Sequence, residues 1–290
     1  VHLYCRDRGP DSLQGPGQQA VATIGANLIS GVPDDWKTVW VTGASSGLGL
    51  ELAKLLDGCV PNVALTARSA DKLTTLAADY RSFAAYPGDV SDVAAITDIV
   101  GRIEADAGPI DLAVLNAGAW TLMAVEQFDL EAIRAGVGVN ILGTMNALSV
   151  LLPRMIERGR GHIAIVASVA GYRGLPRSLA YGPTKAALIN LAETLRVELE
   201  PRGITVSLVN PGFIDTPMTR DNPFPMPGLM PAEEAATQLL RGLERKRFEI
   251  VFPRGFGIVM KAMKLVPNAV YFWLMRRFVW RRQARALTSR

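Results

Sequence analysis

From Lys37 onward the chain alternates between two hydrophobic patterns. Short runs of consecutive apolar, often β-branched residues read as strands buried on both faces. They occur at 38–42, 62–66, 82–86, 112–115, 162–167, 205–209 and 248–252. Between them, over 50–56, 92–105, 141–157, 184–200 and 232–245, apolar residues recur at helical spacing. Strand alternating with helix predicts an α/β domain, a doubly wound parallel sheet of about seven strands with helices on both faces. Ligands of such sheets bind outside the carboxyl ends of the strands, where the strand order reverses.

Two segments lie outside this alternation. Residues 1–35 are rich in Gly, Pro, Gln and charge, with one short apolar stretch at 20–29, and are expected to form a flexible N-terminal extension. No basic region there is followed by a convincing apolar region and cleavage site, so a secretory signal is not expected. Residues 36–253 carry the alternation, and 254–290 form a basic, aromatic tail. Within the domain, 217–231 holds five prolines and little periodicity. An irregular segment of that length is often functional.

The first strand runs into Thr42-Gly43-Ala44-Ser45-Ser46-Gly47-Leu48-Gly49, and an apolar-periodic segment follows. Strand, glycine turn and helix are the context of a phosphate-binding loop. Glycines permit positive φ and close backbone approach, and a helix N-terminus offers free N–H groups to a pyrophosphate. Taken alone, the cluster is equally an ordinary strand-to-helix turn. Farther on, Tyr181 and Lys185 stand four residues apart, on one face of a helix, with Ser168 upstream. An ammonium there is expected to bring the phenol closer to ionisation than its reference pKa of about 10. A phenol so tuned exchanges a proton with an alcohol or carbonyl. Pro183 is tolerable only in a first helical turn, so the helix should begin close to Tyr181.

In these motifs the chain resembles the short-chain dehydrogenases/reductases, over roughly 37–253. The family's T-G-x-x-x-G-x-G matches Thr42 to Gly49, and its N-A-G matches Asn116-Ala117-Gly118. Its helix asparagine matches Asn140, its serine Ser168, and its Y-x-x-x-K Tyr181 and Lys185. Its P-G-x-x-x-T matches Pro211, Gly212 and Thr216. The resemblance implies a Rossmann-type fold and hydride transfer between a nicotinamide and a carbonyl or secondary alcohol. It implies Tyr181 as general acid or base, Lys185 on the ribose hydroxyls, and Ser168 on the substrate oxygen. Asn140 would hold a relay water. Gly43, Ser45, Ser46, Gly47, Leu48 and Gly49 would take the pyrophosphate, Asp89 and Val90 the adenine, and Asn116, Ala117 and Gly118 the inner cleft. Pro211, Gly212, Ile214 and Thr216 would fix the nicotinamide, and 217–231 would be a mobile substrate lid.

The second strand ends in Ala67-Arg68-Ser69, where NAD-preferring sites carry a carboxylate. A guanidinium and a hydroxyl suit a 2′-phosphate, so NADP is expected over NAD. The partner is then a small carbonyl or alcohol, guessed to be apolar, and the resemblance implies a homodimer or homotetramer. A nucleotide-binding scaffold without turnover is the competing expectation. An epimerase or dehydratase is disfavoured, because little chain remains for a separate substrate domain.

Composition narrows this picture. Two cysteines and two histidines provide neither a disulfide framework nor a metal site, so no metal is expected. Cys59 is expected to be a buried thiol, in a reducing, cytoplasmic setting. From Arg241 onward the chain has thirteen basic and two acidic side chains, against eighteen and twenty-five before it. No nucleic-acid motif accompanies that charge, and nucleic acid is not an expected partner. The tail's apolar run is broken by Lys261, Lys264 and Pro267 and is too short to span a bilayer. It is expected either to lie in an anionic membrane interface or to pack over the substrate pocket or a second subunit.

Overall fold

The computed structural model describes residues 32–220 and 222–280. Residues 1–31 of the expected extension, with His2 and Cys5, lie outside them, as do the arginines from Arg281 onward. The described chain runs β1 (Thr38–Thr42), α1 (Gly47–Leu56), β2 (Asn62–Thr66), α2 (Ala70–Asp79), β3 (Phe83–Ala85), α3 (Val93–Ala107) and β4 (Leu112–Leu115). There follow α4 (Leu130–Val137), a π-helical turn (Gly138–Leu142), α5 (Gly143–Arg158), β5 (Gly161–Val166), α6 (Gly182–Leu199) and β6 (Ile204–Pro211). The short β7 (Ile214–Asp215) and β8 (Met230–Pro231) precede α7 (Ala232–Glu244), β9 (Glu249–Phe252), α8 (Arg254–Leu265) and α9 (Asn268–Leu274).

Seven strands form one parallel sheet in the order β3-β2-β1-β4-β5-β6-β9. The chain winds outward from β1 to β3, then returns beside β1 as β4. The order therefore reverses between β1 and β4, which opens a crevice at their carboxyl ends. The strands are mainly apolar because each face is covered, and polar members such as Thr38, Thr66, Ser207 and Asn210 are themselves buried. Along β1, Val39 and Val41 enter one core with Leu52 and Leu56 of α1 and Leu239 and Leu243 of α7. Trp40 points the other way, into a core with Ile99 of α3, Leu151 of α5 and Leu188 of α6. Local signals set several helix ends. The Asp92 carboxylate accepts from the N–H groups of Ala94 and Ala95 at the start of α3, a cap that contributes about 1 kcal/mol. At the other end of α5, Gly159 takes the left-handed conformation.

Three expectations change. The helix expected over 141–157 begins at Leu130 and continues through the π-helical turn. By length and composition Leu130–Arg158 could cross a membrane, yet its buried face packs in the core against α3 and the sheet. At the end of the expected extension, Val32 packs partly buried against the core and Asp35 pairs with Lys246 at 3.5 Å. Cys59 stands half-buried in the turn after α1 and is not a free thiol, which corrects the expectation of a buried one.

Candidate active site

The glycine turn is braced from β4. The Thr42 hydroxyl accepts from the backbone N–H groups of Asn116 and Ala117, both at 3.0 Å. The Asn116 amide donates to the carbonyls of Thr42 and Gly43 at 3.0 and 3.3 Å. Asn116 thus spends its donors holding the turn in shape. Gly43 and Gly47 have φ of 66° and 57°, and no acidic side chain stands in the first turn of α1. A Cβ on Gly49 would stand 2.6 Å from the Asn116 amide nitrogen and 2.7 Å from the Gly43 carbonyl. Ser46 precedes the helix in extended backbone without capping it, and Ser45 is half-buried beside it. Leu48 turns into the core. A free helix N-terminus behind a turn with no room for a Cβ at Gly43 or Gly49 fits a dinucleotide pyrophosphate.

The other candidates stand at neighbouring strand ends. Ala67, Arg68 and Ser69 follow β2. Arg68 is exposed and near enough to lower the Asp89 pKa, although the chief cause is Asp89 accepting hydrogen bonds from the Ser91 backbone N–H and hydroxyl. The Ser69 hydroxyl does not cap α2. Val90 packs on Gly143, where a Cβ would approach it to 2.6 Å. Gly118 follows β4, and a Cβ there would lie 3.4 Å from Asn140 Oδ1 and 3.5 Å from Lys185 Nζ. Beyond β6, Thr216 reaches back across the cleft, its methyl 3.1 Å from where a Gly47 Cβ would be. Gly212 N–H donates to the Phe252 carbonyl at 2.7 Å, which seats Pro211 and the buried Ile214 at the cleft wall.

Asn140 is fully buried in the π-helical turn. Its Oδ1 accepts from Ala119 N–H at 2.7 Å, and its Nδ2 donates to the Ala119 carbonyl and the Thr184 hydroxyl at 3.0 and 2.9 Å. The side chain therefore ties β4's exit to α6 and has little capacity left for a water. Tyr181 is the N-cap of α6, with Pro183 in the first turn. Lys185 is buried, and its Nζ donates to the Val166 carbonyl at 2.9 Å. The ammonium stands 5.6 Å from the Tyr181 ring centroid.

That placement overturns one expectation. Burial pushes the Tyr181 phenol up to about 12, and the only opposing influence is a hydrogen bond with Ser168. Burial also pushes Lys185 down to about 8. Desolvation dominates because both groups are shut away from water. Ser168 receives the Ala170 N–H at 3.1 Å and makes a long bond to the Pro211 carbonyl, 3.3 Å.

Sequence patterns missed several aromatic contacts beyond the strand ends. Trp120 meets the Tyr181 ring edge-on at 4.7 Å, and its indole N–H donates to Asn222 at 3.1 Å. Phe213 lies 5.9 Å from both Phe224 and Phe256. Trp120, two residues beyond the N-A-G match, could have been suspected from position. The phenylalanines come from the stretch after β6 and from α8 and carry no local signal. The buried His162 bonds to Ser207 at 2.9 Å, and burial drives its pKa down to about 3. Among the described residues no cluster of His, Cys, Asp or Glu could hold a metal.

Residues 37–224 match the short chain dehydrogenase family model. An uncharacterized oxidoreductase from Myxococcus xanthus is 34% identical over 246 residues, 83% of this chain and 97% of that protein. A short chain dehydrogenase from Burkholderia cenocepacia, in complex with NADP, is 28% identical with a TM-score of 0.72, covering 82% of this chain and 97% of its own. One from Burkholderia phymatum, in complex with NAD, shares the fold with a TM-score of 0.71 at 24% identity, covering 78% and 92%. The glycine turn, the strand-end site and the matched length lead to one conclusion: the chain belongs to the short-chain dehydrogenase family and is an NAD(P)-linked oxidoreductase acting on CH–OH or C=O groups.

Proposed function

We propose that the protein is an NADP(H)-dependent reductase of an apolar carbonyl, or dehydrogenase of the matching alcohol, with Tyr181 as the proton-transferring group. The convergence of Ser168, Tyr181 and Lys185 beside the open N-terminus of α1 carries this proposal. The bound cofactor supplies or accepts the hydride.

A phenol held up at about 12 keeps its proton at neutral pH, which favours donation to a reduced carbonyl oxygen. Ser168 can exchange its long bond to Pro211 for one to the substrate oxygen, stabilising developing charge. Lys185 has donors beyond the one given to Val166, and these suit ribose hydroxyls. Its charge favours the phenolate formed after proton donation. Asn140 acts through position: its side chain holds Ala119 and Thr184, so a relay water would rest on its main-chain carbonyl.

NADP preference rests on the exposed Arg68 and on Ser69, whose hydroxyl leaves α2 uncapped, with no carboxylate at Ala67. The relative bound to NADP is in keeping with this. The aromatic wall of Trp120, Phe213, Phe224 and Phe256 supports an apolar substrate. A homodimer or homotetramer and a cytoplasmic location belong to the same proposal. Exposed Met145, Ile156 and Val197 offer apolar surface for assembly.

Parallel fluorescence titrations with NADPH and NADH test it without knowledge of the substrate. NADPH is expected to bind more tightly. Arg68→Ala should lower its affinity about tenfold, the worth of one charge-assisted hydrogen bond, and leave NADH unchanged. Preference for NADH would sink the cofactor assignment, and binding of neither would favour a scaffold without turnover.

A further inference from the structure

The tail resolves into two helices with two different faces. Inward, Phe256 packs beside Phe213, Met260 joins the core, and Tyr271 is buried. Arg173 locks this arrangement, donating to the carbonyls of Met263 and Val266 and lying 3.9 Å over the Tyr271 ring. Outward, Ile258, Val259 and Leu265 on α8 and Phe272 and Trp273 on α9 remain exposed, Leu265 by 86%. On α8 these fall in one stripe opposite the packed face. So much exposed aliphatic and aromatic surface in one short segment marks an interaction site.

A second feature adjoins that stripe. A cavity of about 500 Å³ between α7, the free edge of β9 and the start of α8 is lined by Arg241, Arg245, Arg247 and Arg254, with Gln238 and Glu249. Among the described residues none of the four arginines has an ion pair, and Arg241 Nε is buried without a partner. Glu249 is already engaged by Lys261 and Tyr172. Nearby Glu244 feels Arg241 and Arg245, but burial holds its carboxyl up at about 7, so it offsets only part of the charge of the four arginines at neutral pH. Arg254 belongs to both features. It lines the cavity, and Ile258 and Leu265 follow it one and three turns along the same row of α8.

We propose that this face docks the enzyme on an anionic phospholipid bilayer, with lipid phosphates on the arginine-lined cavity and the outer stripe of α8 and α9 at the acyl boundary. Guanidinium groups match phosphate geometry, and aromatic and aliphatic side chains flanked by arginines suit the interface plane. Charge decides against a second copy as the occupant. Between Arg254 and Trp280 the chain has five basic and no acidic side chains, and the following ten residues add four arginines and no carboxylate side chain. Two such faces repel each other, whereas an anionic surface attracts both. The lid lies alongside, since Gly228 abuts Pro253 and Phe256. Docking would therefore bring the aromatic substrate wall next to the lipid. The docking itself does not depend on the catalytic assignment.

The test is co-sedimentation of the full chain with sucrose-loaded vesicles, of phosphatidylcholine alone or mixed with phosphatidylglycerol. Binding is expected only to the mixed vesicles and should weaken as salt rises. Arg247→Ala/Arg254→Ala and Ile258→Ser/Leu265→Ser should each lower it at least tenfold, with NADPH binding intact as the control for folding. Arg247→Lys/Arg254→Lys should retain most of it. Absence of sedimentation at low salt would overturn the proposal, as would binding unchanged in the Ile258→Ser/Leu265→Ser variant. So would inorganic pyrophosphate binding at the arginines without vesicle binding, which would assign the cavity to a soluble phosphate ligand. A dimer abolished by Ile258→Ser/Leu265→Ser, in protein that ignores vesicles, would assign the stripe to self-association.

Discussion

On the cofactor side of the cleft, short segments brace one another through polar groups with little freedom. Asn116 and Thr42 make four hydrogen bonds around the glycine turn, and Gly43 and Gly49 leave no room for a methyl group. On the proposed substrate side the contacts are between bulky rings, Trp120 edge-on to Tyr181, Phe213 edge-on to Phe224 and tilted against Phe256, with the Trp120–Asn222 bond beside them. The first construction tolerates almost no substitution, because each donor and each gap has one use. The second depends on filled volume, which many side chains can supply. Such a division lets one cofactor site serve many substrates.

The largest expected effect lies where the two sides meet. Tyr181→Phe should cut turnover by about 10²- to 10⁴-fold or more while NADPH still binds. Turnover assays beside cofactor titration check this, and retained activity would remove Tyr181 from its role. Next comes the cofactor side. Gly49→Ala forces a methyl group onto the Gly43 carbonyl and the Asn116 amide, and overpacking of that kind costs about 1–3 kcal/mol. The variant should melt earlier and lose the rise in Tm that NADPH gives the parent. An unchanged response would mean that the turn is more forgiving than its contacts imply.

A pH profile probes the shared pocket. Lys185 loses its charge through about 8, whereas Tyr181 keeps its proton to about 12. Carbonyl reduction should therefore fall as pH rises through about 8, with Lys185 and not Tyr181 setting the limb. A rate that rises across that range would contradict the assignment. The smallest effect belongs to the substrate side. Trp120→Phe keeps a ring against Tyr181 and loses the bond to Asn222, worth about 1 kcal/mol, so KM should rise roughly fivefold with kcat little changed. A comparable loss in kcat would place Trp120 among the rigid elements instead.

Much of the site was legible before any coordinates. The T-G-x-x-x-G-x-G turn, the N-A-G segment and the Tyr181–Lys185 pair are local, and each lies at a strand end or helix start that hydrophobic periodicity also marks. Pro183 even located the start of α6, since its ring excludes a preceding helical turn. The π-helical turn at Asn140 was not legible: apolar periodicity passes through it, and only its bonds to Ala119 and Thr184 show why the helix widens there. Arg173 carried no signal either, because its partners lie some ninety residues away.

The order of strands and helices, the sheet's two covered faces and the family motifs that nominate the candidate reacting groups follow from sequence alone, because side-chain period, glycine conformation and helical spacing act over a few residues. The tertiary structure alone decided the burial of Tyr181 and Lys185, the aromatic contacts and the two faces of the tail. Those depend on how much water is excluded around a group and on which distant segments meet there, and neither quantity is encoded within a local stretch of chain.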